Sequence, residues 1–131
     1  MILVLDTHAE DVFIGFWDRN KSRWEPQETF LGGRELNSLI IGKLSPIKTA
    51  DLNGIIVAAG PGSFTGLRIG ISVANAIAYV KDIPIVALAG TETRDELLQK
   101  GLRMLESAGS QFDVAVIPFY GADPHITKPK S

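Results

Sequence analysis

Apolar residues in this chain come in two rhythms, short unbroken blocks and longer runs at helical spacing. Residues 2–5 (Ile-Leu-Val-Leu) are continuous and β-rich, the pattern of a central strand buried on both faces. A polar stretch over 6–11 turns the chain into a second block at 12–17, and Ser22-Arg23-Trp24-Glu25 begins a third. Asp18-Arg19-Asn20-Lys21 between them carries hairpin chemistry. Pro26 in the third run predicts an edge position or an early end to pairing. The opening therefore reads as a three-stranded antiparallel meander.

Past Gly32-Gly33 the spacing becomes helical. Leu36, Leu39, Ile40 and Leu44 recur across 34–44, and Pro46 stops that helix. A linker over 45–53 leads to a strand at 54–59, a glycine loop at 60–66 and a long helix over 67–80. Asp82-Ile83-Pro84 turns the chain into another strand at 85–89. Thr91 is the expected N-cap of a third helix, with Glu92, Asp95 and Glu96 at its positive end. Leu97, Leu98, Leu102, Met104 and Leu105 carry that helix toward Gly109. A last short strand is expected at 114–117, before a tail bearing Pro and Lys. This order gives an α/β fold, a mixed sheet with flanking helices.

The most specific stretch is G-P-G-S-F-T-G-L-R-I-G-I-S-V-A-N-A-I-A-Y, residues 60–79. Its loop comprises Gly60, Pro61, Gly62, Ser63, Phe64, Thr65 and Gly66. The third glycine arrives one residue late for the dinucleotide fingerprint, and Leu67-Arg68 stands where a P-loop needs Lys-Ser/Thr. A sharp strand-to-helix turn with close packing explains the glycines more simply than a bound anion, although a helix N-terminus suits an anion. At about 100° per residue, Arg68, Ser72, Asn75 and Tyr79 gather on one narrow stripe of the helix. Leu67, Ile69, Ile71, Val73, Ile77 and Val80 surround the rest, and Gly66, Gly70, Ala74 and Ala78 form a smooth ridge. Such an apolar arc is wider than one sheet covers, so a protein partner is expected at the stripe and its flanks.

Composition narrows the classes further. A chain of 131 residues with 45% hydrophobic and 21% charged residues suits one globular domain. The absence of cysteine removes disulfides and thiolate metal sites and fits a reducing compartment, the cytoplasm. Neither a basic leader nor an unbroken membrane span is read, Arg68, Ser72 and Asn75 interrupting the longest apolar stretch. A net charge of -2 without a basic stripe argues against direct nucleic-acid binding. Trp17 and Trp24 are then better read as cross-strand packing than as a base-stacking platform.

Asp6, His8, Glu10 and Asp11 form the one dense polar cluster. Carboxylates beside an imidazole are metal-ligand chemistry, but only His125, in the tail, adds a second imidazole. A solvated turn with Asp6 capping local amides is the preferred reading, and no metal is expected. No H-E-x-x-H, cysteine nucleophile or G-x-S-x-G elbow is present, so no catalytic residue is assigned.

The 60–79 motif, supported by residues 1–7, 54–57 and 83–86, resembles the TsaB (YeaZ) family over about residues 1–90. That resemblance implies a single actin-like or sugar-kinase-like (ASKHA) half-fold. It implies a non-catalytic accessory subunit, without a cofactor, that binds the paralogue TsaD. TsaD transfers threonylcarbamoyl to the adenosine next to the anticodon in tRNA, and the ATPase TsaE joins the assembly. In the family the two N-terminal helices make the heterodimer contact. Carried over by position, the partner-binding residues are Leu36, Leu39, Ile40, Lys43, Arg68, Ile69, Ser72, Val73, Asn75, Ala76 and Tyr79. A homodimer through the same surface is a third possibility, and a nucleotide-binding phosphotransferase relic using Asp6, Thr7 and the glycine loop a second. Family members continue into a longer second half. Residues 1–131 are expected to form one N-terminal lobe, with 110–131 the remnant of an internally shortened second lobe. The interlobe ATP cleft would then not form within the chain. His8 stands where the family more often has a small hydroxyl residue.

Overall fold

The computed structural model describes residues 1–44, 51–62, 64–89 and 93–118. Five strands form one sheet in the order β3-β2-β1-β4-β5. The strands are β1 (Ile2–Asp6), β2 (Asp11–Asp18), β3 (Arg23–Leu31), β4 (Gly54–Ala58) and β5 (Ile85–Leu88). The first three pair antiparallel, and β4 and β5 add to β1 in parallel. The expected meander and mixed sheet are both present. Pro26 lies in the edge strand, but pairing runs on past it to Leu31. An edge position supplies the reason, since a missing N–H is tolerated where no outer strand needs it.

Three helices, α1 (Leu36–Leu44), α2 (Phe64–Lys81) and α3 (Arg94–Ser107), complete the described fold. A 3-10 turn over Gly33–Glu35 precedes α1. Strand alternation divides the core between the two faces of the sheet. Leu3, Leu5, Ile55 and Val57 meet Leu36, Ile40, Leu67 and Ile71 of α1 and α2 on one face. Ile2, Val4, Ile56 and Ala58 meet Leu97, Leu98 and Leu105 of α3 on the other. Trp17 and Trp24 are register partners with rings 5.3 Å apart, edge to face, and Phe13 meets Trp24 at 5.4 Å. They are cross-strand packing. Arg94 of α3 lies 4.0 Å over the Phe13 ring and donates to Thr29 Oγ1 at 3.1 Å, tying helix to meander.

Two expectations need correction. The N-cap of α3 is Thr93, whose hydroxyl accepts from the Glu96 N–H at 3.1 Å while Glu96 accepts from the Thr93 N–H at 3.0 Å. That reciprocal box satisfies two helix-end donors, which Thr91 with Arg94 three residues on cannot do. Thr91 and Glu92 themselves lie outside the described residues, as do most of the linker, Ser63 and the tail with His125. Second, residues 112–118 form no strand. The segment lies along α2, where the Asn75 side chain takes the backbone bonds of Val116 that a neighbouring strand would otherwise supply.

Candidate functional site

The loop after β4 is shaped by close backbone approach. Gly60 has a φ of 111°, a left-handed conformation that favours glycine. A Cβ at Gly62 would overlap the His8 carbonyl, and one at Gly70 would overlap the Thr7 hydroxyl. The glycines therefore seat the loop and the first turns of α2 directly on the turn after β1. Thr7 is fully buried there, and its Oγ1 has no hydrogen-bond partner among the described residues. Thr7, one of the residues of the phosphotransferase reading, is thus enclosed between β1 and α2.

Asp6 organises the same turn. Its Oδ1 accepts from the His8 N–H at 3.0 Å and lies 2.5 Å from His8 Nδ1. Both side chains are partly buried, and the carboxylate caps the turn as its sequence implied. Among the described residues no group of three or more His, Asp or Glu side chains converges on a metal position. Beside this turn a cleft of about 320 Å³ opens between Ala9-Glu10, Gly32-Gly33 and Thr65-Gly66.

The outward face of α2 is the larger feature. Leu67, Gly70, Ile71, Ala74 and Ala78 are buried on the sheet, so the small-residue ridge lies on the chain's own strands. Thr65, Arg68, Ser72, Ala76 and Tyr79 are exposed on the opposite side, with Ile69 and Val73 half-buried beside them. The uncovered apolar flank is narrower than the pattern implied, yet it is not shielded: Tyr79 and Val80 stand 71% and 77% exposed. Between α1 and α2 runs a shallow groove of about 280 Å³, lined by Asn37, Thr65, Arg68, Ile69, Ser72 and Val73.

The expected partner-binding residues thus divide. Leu36 and Ile40 are buried in the core of this chain, while Leu39 and Ile41 are exposed. Lys43 is 2.7 Å from Glu28 and lies over the Phe30 ring, which ties α1 to β3. Arg68, Ile69, Ser72, Val73 and Ala76 line one continuous surface. Asn75 and Tyr79 belong to that surface but are engaged by residues 112–116. Sequence reasoning missed this engagement, because nothing local in the chain links Asn75 to Val116.

Comparison with known proteins fits the motif. The family model described as "TsaD: tRNA N6-adenosine threonylcarbamoyltransferase" matches residues 41–93, the stretch holding the glycine loop and α2. The tRNA threonylcarbamoyladenosine biosynthesis protein TsaB of Bacillus subtilis (strain 168) is 40% identical over 72 residues, 55% of this chain and 27% of that protein. TsaB of Escherichia coli (strain K12) is 30% identical over 94 residues, 67% of this chain and 39% of that protein. Over these stretches the chain is similar to part of the TsaB (YeaZ) family. YeaZ from Pseudomonas aeruginosa superposes with a TM-score of 0.58 at 22% identity, covering 67% of this chain and 43% of that one. That likeness shows the expected ASKHA-type fold. The chain spans well under half the length of the TsaB relatives it matches. Among the described residues no helix is long and apolar enough to cross a membrane.

Proposed function

We propose that the chain serves threonylcarbamoyladenosine formation in tRNA as a non-catalytic accessory subunit, docking the threonylcarbamoyltransferase TsaD through α1 and α2. The observation that carries this reading is the outward face of α2. Small exposed side chains, Thr65, Ser72 and Ala76, let another helix approach closely, and Ile69, Val73 and Tyr79 supply apolar contact around them. That is the surface of a helix awaiting helices. The relatives bearing the TsaB name support the pathway, and the transferase-family match over 41–93 supports a paralogous partner with a similar helix. The same face suits a second copy of the chain in the absence of the transferase.

Co-expression with the cognate TsaD and purification through a tag on one component tests it. Wild-type chain is expected to co-purify. Ser72→Arg and Ala76→Arg, both at exposed positions, are expected to lose binding at least tenfold while keeping the wild-type circular dichroism spectrum. Unchanged recovery of both variants with the transferase would remove α2 from the interface.

A further inference from the structure

The segment that follows α3 folds back onto α2. At one end the Asp82 carboxylate accepts from the Phe112 N–H at 3.2 Å and from Gln111 Nε2 at 3.0 Å. Phe112 then meets Tyr79 edge to face, with ring centres 5.6 Å apart. At the other end the Asn75 carboxamide donates to the Val116 carbonyl at 3.0 Å and accepts from the Val116 N–H at 2.9 Å. Asn75 to Asp82 is about 10 Å of helix rise. Four residue steps, from Phe112 to Val116, cover that distance, so the segment runs nearly extended and antiparallel to α2.

The way it is held matters. Asn75 takes both backbone groups of one residue, so it recognises main chain rather than a side chain. Phe112 and Val116 rest against the edge of the core, while Val114 and Ile117 remain 70% and 81% exposed. A segment held by a few partly solvated bonds, with half of its apolar side chains outward, belongs to the low-stability end of local opening. It also lies on Asn75 and Tyr79, two residues of the stripe assigned above to the transferase.

We propose that residues 111–117 are a strap occupying part of the partner face of α2, and that transferase binding displaces it. The inference rests on the accessory-subunit reading. A population held closed lowers apparent affinity by the fraction that is open, so the strap sets part of the cost of association.

The test uses the full chain with Val116→Pro, which deletes the N–H given to Asn75, and separately Phe112→Ala, which removes the contact with Tyr79. Neither substitution alters a residue of α2, and the second keeps the experiment decisive should the first misfold. Affinity for purified TsaD is measured by calorimetry, and exchange of the Val116 amide is followed in free and bound wild-type chain. Each variant is expected to bind roughly two- to tenfold tighter, the worth of one such bond. Saturating transferase is expected to speed Val116 exchange. Equal or weaker binding by folded variants, with Val116 still protected in the complex, would overturn the strap while leaving the docking face intact. Absence of binding by wild type and variants alike would instead remove the accessory-subunit reading, and the strap with it.

Discussion

Thr7 and Gly70 show how tightly single residues determine the approach of α2 to the sheet. A methyl at Gly70 would overlap both Oγ1 and Cγ2 of Thr7, whose side chain is fully buried. Alanine gains up to about 1 kcal/mol over glycine in a helix interior, but overpacking costs about 1–3 kcal/mol. Gly70→Ala is therefore expected to destabilise by about 1–2 kcal/mol in urea unfolding. Thr7→Ala should relieve most of the overlap, so the double variant is expected to lose less than the sum of the singles. Simple additivity would mean that the two residues do not press on each other. The glycines were legible in the sequence as devices for turning and close packing. Which residue each one meets was not, because Thr7 and Gly70 are joined only by the folded sheet.

At the scale of elements, the third helix illustrates a signal present but misread. Thr93 with Glu96 three residues on is a capping box, and the rule that finds it also rejects Thr91. Thr93→Ala is expected to cost about 1 kcal/mol, read from the urea midpoint. The Thr93 N–H, and then its hydroxyl, hold the Glu96 carboxyl below its ordinary value of 4.5. A carboxyl lowered on folding stabilises the protein above its unfolded value, and that support fades as pH falls through the folded one. Glu96→Gln should therefore flatten the stability profile on the acid side below pH 4.5, leaving its shape near neutrality unchanged. An identical acid slope in both proteins would refute this. Residues 114–117 failed in the opposite sense. Their β-rich composition was plain, but composition does not say whether a free strand edge or a side-chain amide will satisfy the backbone.

For the molecule as a whole, periodicity alone located the central strands, the meander and the long helix, because burial on both faces of a sheet leaves continuous apolar blocks. The docking face was legible only as an excess of apolar positions on α2. Its true width depended on how much α1 and residues 112–116 cover, which is a tertiary fact. The sealed Thr7 hydroxyl and the packed glycine loop bear on ligands too. Calorimetry with ATP and magnesium is expected to give no saturable one-to-one binding by the chain alone, and a clear isotherm would revive the phosphotransferase reading.

The order β3-β2-β1-β4-β5 leaves the sheet with two unlike rims. One is nine residues long but carries Pro26 among Glu25, Gln27 and Glu28, and the other is only four residues long. A prolyl ring and two glutamates are poor templates for another chain, and four residues offer little to grip. Growth by strand addition is thereby discouraged at both margins. Whatever company this protein keeps is steered toward its helix-covered faces, where contacts close on themselves instead of propagating into fibres.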